Sequence, residues 1–308
     1  MQPWRDAVVQ ARLAVRGDAH TPRSRFDLTS LRNLHPVASI RTWLGWSSRQ
    51  ALITNYFNHT QTPTSQGWSV RRTQVRDYRG GTLTYDSHNG TDFSVPVGSD
   101  VVAAAPGIVR RVSSEFHRGG KKVVIDHGGG LMTSSNHLAR VAVVEGQRVA
   151  RGEHVAWSGY SGIDGLTTFP FGIPHVHYNV WLNGVPVDPF ARDGEVSLWR
   201  THNDPRPHDG EAIDEDIDDD VSDDAFDVTA VDAVVASCVD PALRSTLNEI
   251  DDVVSRACAV IFHRNTYPTR FTSDARLHQH EHPRRPRLDL PLAAAAWDGA
   301  VAIDARPV

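Results

Sequence analysis

Hydrophobic residues in the middle of the chain come in short, valine-rich runs that glycines interrupt. From Trp68 to Phe190 there is almost no stretch with the apolar spacing of an amphipathic helix. Short runs rich in β-branched residues and bounded by glycine are typical of strands joined by turns. The pattern therefore predicts an antiparallel β-core over this region.

The first 60 residues have a different apolar spacing, which favours helices. One segment places apolar residues at helical spacing, namely Ala7, Val8, Ala11, Leu13 and Val15. A second helix is predicted after Thr42–Trp46, with an apolar side made of Leu52, Ile53, Tyr56 and Phe57. The polar stretch 60–67, which contains proline and glycine, then predicts a linker-like turn region.

Helical spacing returns near the C-terminus. Asp240 followed by Pro241 has the form of a helix N-cap with proline at the first helical position. An apolar stripe at helical spacing follows, formed by Leu243, Leu247, Ile250, Val254, Ala257 and Ile261. A shorter helix is expected over Val228–Cys238, and the tail from Arg287 onward is expected to add a strand or two.

These patterns divide the chain into four parts with an α+β fold overall. The parts are a helical N-terminal extension (1–65), a mainly β domain (66–195), an acidic linker (196–227) and a helical C-terminal extension (228–308). Between Asp209 and Asp227 there are eleven acidic residues and no lysine or arginine. Such a block of like charges repels itself, which predicts a flexible, solvated linker.

The amino-acid composition and the charge limit the classes of partner that the protein can bind. The chain has 308 residues, of which 40% are hydrophobic, and this is enough to bury a sizeable core. The net charge is −5, and the residues outside the acidic block carry only a mild excess of base. That excess would suit an anionic polymer but is too small to indicate nucleic-acid binding. We expect a monomer.

Targeting signals are absent from the sequence as printed. No apolar run approaches the roughly 18 residues that a membrane span needs. The first residues lack a basic segment that leads into an apolar one, so the protein is expected to be cytoplasmic as synthesised. Its two cysteines, Cys238 and Cys258, do not form a disulfide framework, are expected on successive helices, and in the cytoplasm are not expected to pair.

Two short motifs carry candidate metal chemistry. His88 and Asp92 are separated by a glycine-containing turn, and His175 and His177 lie two residues apart in an apolar, aromatic run that reads as a strand. Side chains at i and i+2 of a strand point to the same face, so both imidazoles can address one point. Three His or Asp/Glu ligands with an open fourth position are typical of catalytic zinc. The motifs therefore predict a zinc hydrolase.

The wider sequence resembles the lysostaphin and β-lytic metallopeptidases, which cut peptide cross-bridges of bacterial cell walls. The resemblance covers about a third of the chain, and several spaced motifs together make it specific. They are the H-x-x-x-D motif at His88, the stretch Asp92–Val109, the strand Val123–Gly128, Asn136-His137-Leu138, Glu145–Gly152, the H-x-H motif at His175 and Asn183–Pro189.

This resemblance implies a lysostaphin-type metallopeptidase fold of antiparallel sheets and one zinc ion per chain. It makes His88, Asp92 and His177 the zinc ligands, and it makes His137 and His175 the catalytic histidines beside the attacking water. This chain departs from the family at two positions. Ser135 stands where the family usually has a tyrosine, and Asn179 stands where it tends to have a glutamate. Neither change removes a ligand, so we expect them to affect substrate choice and rate.

The resemblance further implies a zinc metalloendopeptidase that acts on peptidoglycan peptides, although this family usually acts outside the cell. One alternative is a catalytically inactive regulator of cell-wall hydrolases, against which the intact ligand set argues. Another is a zinc hydrolase of a non-wall peptide, which only the missing secretion signal favours.

Other histidines have structural interpretations. His127, next to the predicted turn Gly128–Gly130, is expected to be structural, although support for a metal ligand is a second possibility. His117 and His154 are expected at the surface or in packing. The histidine-rich run 277–282 is interpreted as a solvated basic segment. The loop Tyr160–Gly172 is expected to form one wall of the substrate cleft.

Overall fold

A computed structural model describes residues 3–163, 169–211 and 226–305 of the chain. The helices are α1 (Pro3–Arg16), α2 (Pro36–Trp43), α3 (Val228–Ala236), α4 (Pro241–Asn248) and α5 (Val253–Thr266). The strands are β1 (Gln50–Asn55), β2 (Thr91–Ser94), β3 (Asp100–Val102), β4 (Gly107–Glu115), β5 (Gly120–Asp126), β6 (Leu131–Leu138), β7 (Arg140–Val141), β8 (Arg148–Val149), β9 (His154–Trp157), β10 (His175–Leu182), β11 (Val185–Pro186) and β12 (Gly299–Ala302). Short 3-10 helices lie at Leu28–Asn33, Thr64–Gln66, Pro268–Arg270 and Ile303–Ala305.

Most strands belong to one sheet, with the order β12-β1-β2-β10-β6-β5-β4-β8 and with β11 paired to β10. All of these pairings are antiparallel except β1 with β12, which is parallel. A smaller antiparallel sheet has the order β3-β9-β7. The predicted mainly β core with helical extensions is confirmed.

The alternation of side chains along the strands gives the large sheet two apolar faces. One face, which includes Val123 and Ile125, shares a core with Val155 of the small sheet. The other face, to which Val124 and Trp181 belong, packs against the C-terminal helices. The C-terminal helices therefore cover this face of the large sheet.

The N-terminal prediction is right for one helix and wrong for the next. The segment from Ala7 to Val15 lies in α1 as expected. Leu52 and Ile53, however, lie in strand β1 and not in a helix, which instead occupies Pro36–Trp43. The run is short enough to fit either period, and pairing of β1 with both β2 and β12 favours the strand.

Helix α4 begins at the predicted cap, but the predicted apolar stripe is divided between two helices. The Asp240 side chain accepts hydrogen bonds from the backbone N–H groups of Ala242 and Leu243. A second cap at Asp252 then starts a new helix, so the stripe is shared by α4 and α5. The tail adds strand β12, as expected.

The two cysteines are buried, and no disulfide joins them. Cys258 lies in α5, and Cys238 lies just after α3. Because α4 separates these two helices, the prediction that the cysteines lie on successive helices is wrong. None of the helices among the described residues is long and apolar enough to cross a membrane. Most of the predicted acidic block (residues 212–225) lies outside the described residues, and the division into four parts stays a prediction.

Candidate active site

Three neighbouring strands bring the two sequence motifs together. The turn that begins at His88 leads into β2, and β2 pairs with β10 so that Asp92 lies opposite His177. On its other side β10 pairs with β6, where Asn136 lies opposite His177 and precedes His137. The pairing of β2 with β10 thus brings together Asp92 and His177, which are more than 80 residues apart in the sequence.

The side chains of His88, Asp92 and His177 converge on one point. The Nε2 atom of His88 lies 3.1 Å from the Asp92 Oδ1 atom and 3.1 Å from the His177 Nδ1 atom. The His177 Nδ1 and Asp92 Oδ1 atoms are 2.7 Å apart. All three residues are buried, and they are the one group of at least three metal-ligating side chains found among the described residues.

Two contacts on the far side of this cluster orient it. The His88 Nδ1 atom lies 2.6 Å from the Tyr56 carbonyl oxygen. A carbonyl can only accept, so Nδ1 carries the proton and a neutral His88 presents the Nε2 lone pair to the cluster. The Asn55 side-chain amide donates to Asp92 Oδ2 at 2.9 Å, which leaves Oδ1 facing the histidines. A hydrogen bond on the outer atom of a ligand is a usual feature of metal sites.

Electrostatics keep Asp92 ionised. Burial alone would raise the pKa of Asp92, but its electrostatic interactions with the imidazoles of His88, His175 and His177 hold that pKa well below its ordinary value. Burial lowers the pKa of His177, and the neighbouring Asp92 opposes that shift. An anionic carboxylate between neutral imidazoles is the charge state in which such groups bind a metal cation.

The donor set fits zinc. Zinc takes nitrogen and oxygen ligands at about 2.0–2.2 Å in a tetrahedron, which places ligand atoms roughly 3.3 Å apart. The three separations between His88 Nε2, Asp92 Oδ1 and His177 Nδ1 are 2.7–3.1 Å, so small side-chain movements would suffice. Three protein ligands leave a fourth position for water or substrate.

His137 and His175 lie beside this cluster. Their ring centroids are 4.8 Å apart, and the His175 Nε2 atom is 3.7 Å from Asp92 Oδ1. Each Nδ1 atom faces a backbone carbonyl, that of Ser161 at 2.8 Å for His137 and that of Ile173 at 2.7 Å for His175. Both Nδ1 atoms are therefore donors, and each neutral ring keeps a lone pair on Nε2.

His137 is unusual in its backbone conformation and in its pKa. Its backbone φ is +61°, a left-handed conformation that costs free energy for a residue with a side chain. Burial, followed by the charges of His175 and His177, lowers its pKa to about 3. Residues held in such conformations cluster at functional sites.

A network of amide side chains links the three segments of the site. Asn179 donates to the Asn89 carbonyl at 2.9 Å and to the Asn89 side chain at 3.0 Å. It also accepts from the Asn136 amide at 2.8 Å, and Asn136 donates at 2.9 Å to the His177 carbonyl. Asn179, one of the two departures from the family pattern, thus ties the turn after His88 to strands β6 and β10.

Gly90 makes the turn into β2 sterically feasible. A Cβ atom at this position would lie 2.6 Å from the Tyr178 carbonyl oxygen and 2.8 Å from the His177 Nε2 atom. Contacts below about 3 Å are not tolerated, so a side chain there would displace the His177 ring.

The remaining histidines lie apart from the cluster. His127 is buried, with its ring nitrogens 2.8 Å from the Pro106 carbonyl and 2.9 Å from the Thr133 hydroxyl, as a structural residue would be. The solvated interpretation of the run 277–282 is wrong at its start, because Leu277 and His278 are buried in the C-terminal core. That run supplies no metal-ligating group within the described part of the chain.

Sequence reasoning missed the residues that orient the ligands. The apolar spacing predicts a helix through Asn55 and Tyr56, whereas in the sheet Asn55 lies directly opposite Asp92. Asn89 and Asn136 lie next to His88 and His137 in the sequence, but no motif marks them as functional. The carbonyl of Ser161 belongs to the loop expected to wall the cleft, of which residues 164–168 lie outside the described residues.

This arrangement of a His-Asp-His cluster with two adjoining histidines agrees with a comparison of the sequence with known families. Residues 86–189 match peptidase family M23. This part of the chain is therefore an M23 peptidase domain, and the resemblance to lysostaphin-type peptidases is confirmed for it.

Several named proteins are similar to this part of the chain. The chain is 37% identical over 102 residues to peptidoglycan DD-endopeptidase ShyA of Vibrio cholerae, a match that covers 33% of this chain and 22% of that protein. It is 34% identical over 110 residues to DD-carboxypeptidase/endopeptidase Mpg of Neisseria meningitidis, with 35% and 23% covered. The catalytic domain of lysostaphin from Staphylococcus simulans has 25% identity, a TM-score of 0.28 and coverage of 31% of this chain and 67% of that one. The chain thus matches less than a quarter of the length of these two curated relatives.

Proposed function

We propose that this protein is a zinc-dependent metalloendopeptidase that hydrolyses peptide bonds in peptidoglycan cross-bridges. The observation that carries the proposal is the convergence of His88, Asp92 and His177 within 2.7–3.1 Å, with His137 and His175 beside them. Relatives named as peptidoglycan endopeptidases over the same domain support the substrate class.

In this proposal His88, Asp92 and His177 hold one zinc ion. When bound there, zinc would supply a Lewis acid for the scissile carbonyl and lower the pKa of a water molecule toward about 7. The Tyr56 carbonyl and the Asn55 amide hold the outer atoms of His88 and Asp92, so that the inner atoms face the ion. Preorganised ligands of this kind need little rearrangement on binding.

His137 and His175 handle the protons. Each imidazole donates its Nδ1 proton to a backbone carbonyl. The Nε2 atom, which carries the lone pair, can therefore accept a proton from the attacking water. A neutral imidazole can accept that proton and, once protonated, can deliver it to the leaving amine. The second imidazole would stabilise the oxyanion of the tetrahedral intermediate as an imidazolium, with its added proton on Nε2, because its Nδ1 proton is held by a backbone carbonyl.

The test is hydrolysis of purified wall sacculi by the zinc-loaded protein, with released fragments identified by mass spectrometry. The proposal predicts new amino and carboxyl termini at cross-bridge peptides, and no such fragments from the His177→Ala variant. Zinc bound without release of any peptide fragment would contradict the assigned substrate. Equal release by wild type and His177→Ala would contradict the assigned site.

A further inference from the structure

Helix α2 packs against the protein with its polar side. Ser39 and Thr42 are buried, at 0% and 5% exposure, whereas Val37 and Ile40 are exposed at 66% and 50%. A surface helix usually buries its apolar stripe and leaves its polar side in water. Buried hydroxyl groups require hydrogen-bond partners, so this side of α2 must make hydrogen bonds.

The partners of Ser39 are backbone carbonyls of the segment that leads into β10, whereas the Thr42 hydroxyl donates to the Ala38 carbonyl within the helix. The Ser39 hydroxyl lies 2.7 Å from the Pro170 carbonyl oxygen and 2.8 Å from that of Gly172. The indole N–H of Trp43 donates to the same Gly172 carbonyl at 3.2 Å. Two side chains one turn apart on α2 therefore hold the backbone three residues before His175.

Trp43 also contacts both described ends of the cleft loop. Its ring centroid is 4.5 Å from that of Tyr160 and 5.1 Å from that of Phe169, both in edge-to-face geometry. Aromatic pairs of this kind stabilise contacts beyond their buried area. A residue of the N-terminal region thus fixes the two places where this loop leaves and rejoins the β-core.

The same loop ends supply the carbonyls that orient His137 and His175, the two histidines that are not proposed as metal ligands. Ser161, next to Tyr160, accepts from the His137 Nδ1 atom at 2.8 Å. Ile173, next to Gly172, accepts from the His175 Nδ1 atom at 2.7 Å. Because these bonds decide which nitrogen carries the proton and how the ring is turned, a shift of either carbonyl would release its histidine.

We propose that α2 is a positioning element of the active site, in which Ser39 and Trp43 hold the loop ends whose Ser161 and Ile173 carbonyls fix the rings of His137 and His175. The effect of this element on catalysis rests on the proposed function, in which the two histidines carry protons. Its effect on ring orientation does not depend on that function. Neither residue touches the metal cluster, so the element acts through the loop.

The experiment removes the two donors but keeps the aromatic contact. Ser39→Ala together with Trp43→Phe deletes the hydrogen bonds to Pro170 and Gly172 while a ring remains beside Tyr160 and Phe169. The matched control is Val37→Ala with Ile40→Ala, which changes the exposed side of the same helix. Both full-length proteins are loaded with zinc, and their imidazole nitrogens are followed by long-range ¹H–¹⁵N correlation spectroscopy.

We expect the Ser39/Trp43 variant to retain one zinc per chain and the His88 resonances, while His137 or His175 loses its single Nδ1-protonated pattern. With a soluble cross-linked peptide as substrate, kcat should fall about 10- to 100-fold with little change in KM, as positioning effects do. The control should match wild type in every measurement. Unchanged His137 and His175 resonances, or loss of zinc along with activity, would overturn the proposal.

The two proposals fail in different ways. If wild-type protein cleaves no wall peptide but the Ser39/Trp43 variant still alters the imidazole spectra, the proposed function falls and the positioning element stands. If wild type cleaves wall peptides and the variant changes neither spectra nor kcat, only the positioning element falls.

Discussion

Asn55 lies directly opposite Asp92 across strands β1 and β2, and its amide donates to the Asp92 Oδ2 atom at 2.9 Å. The bond leaves the Oδ1 atom as the one that faces His88 and His177. Because β1 precedes the region that matches the M23 family, a residue outside that region orients a candidate metal ligand within it.

Removal of this bond should weaken zinc binding without unfolding the protein. In Asn55→Ala we expect zinc affinity to fall about 10- to 100-fold, the usual effect of losing a group that orients a ligand. Titration against a competing chelator measures it. Gln50→Ala, at the other end of the same strand, serves as the control and should bind zinc like wild type. Equal affinities for Asn55→Ala and wild type would contradict an orienting role.

The three proposed ligands should each be indispensable. Replacement of His88, Asp92 or His177 by alanine leaves two ligands, and we expect each variant to lose most of the one zinc per chain that we expect wild type to bind. Metal analysis after gel filtration gives the stoichiometry. Full zinc occupancy in the His177→Ala protein would remove this ligand set.

Catalysis should separate from metal binding at the other two histidines. His137→Ala and His175→Ala should keep zinc but lose hydrolysis by about 100-fold or more, the usual effect of removing a positioned acid or base. Zinc content and initial rates are measured on the same preparations. A fall in zinc content that parallels the fall in rate would instead identify that histidine as a ligand.

Stability in mild acid should depend on a buried histidine far from the site. Burial, aided by Arg111, lowers the pKa of His263 to about 3, whereas in the unfolded chain it is near 6.5. The unfolded state therefore takes up a proton below pH 6.5 that the folded state refuses until about pH 3, so stability falls through this window.

Replacement of this ring by an apolar side chain should remove that penalty. Between pH 7 and pH 4.5 we expect His263→Leu to lose about 2 kcal/mol less unfolding free energy than wild type. Urea titrations at the two pH values measure the difference. Phe262→Leu, a neighbouring change without a titrating group, should shift both values equally. An identical pH dependence in His263→Leu and wild type would contradict the assignment.

Part of the convergence of His88, Asp92 and His177 was predictable, because the spacing of one of the two motifs is a local property of strands. The H-x-H motif of His175 and His177 has the two-residue period of a strand, and that period survives in β10. The supports of the cluster were not predictable in this way. Asn55 and Tyr56 reach it only through strand pairing, and their short apolar run suits a helix or a strand equally well.

The C-terminal helices illustrate the same limit. Four of the six residues in the apolar stripe from Leu243 to Ile261 are buried and the other two are partly buried, but one helix was expected where there are two. Asp252 starts the second helix with its own N-cap, and a cap inside a periodic pattern is easily overlooked. Likewise, the parallel pairing of β1 with β12 joins residues almost 250 positions apart and has no local signal.

This pairing decides how the protein can be trimmed. A fragment limited to residues 86–189 would lack both β1 and β12, and β2, which carries Asp92, would become an exposed sheet edge with unpaired N–H and C=O groups. Such edges recruit strands from other chains, so the fragment should be prone to aggregate. A usable minimal enzyme therefore has to start before Gln50 and continue beyond Ala302, even though the chemistry is concentrated in the middle of the chain.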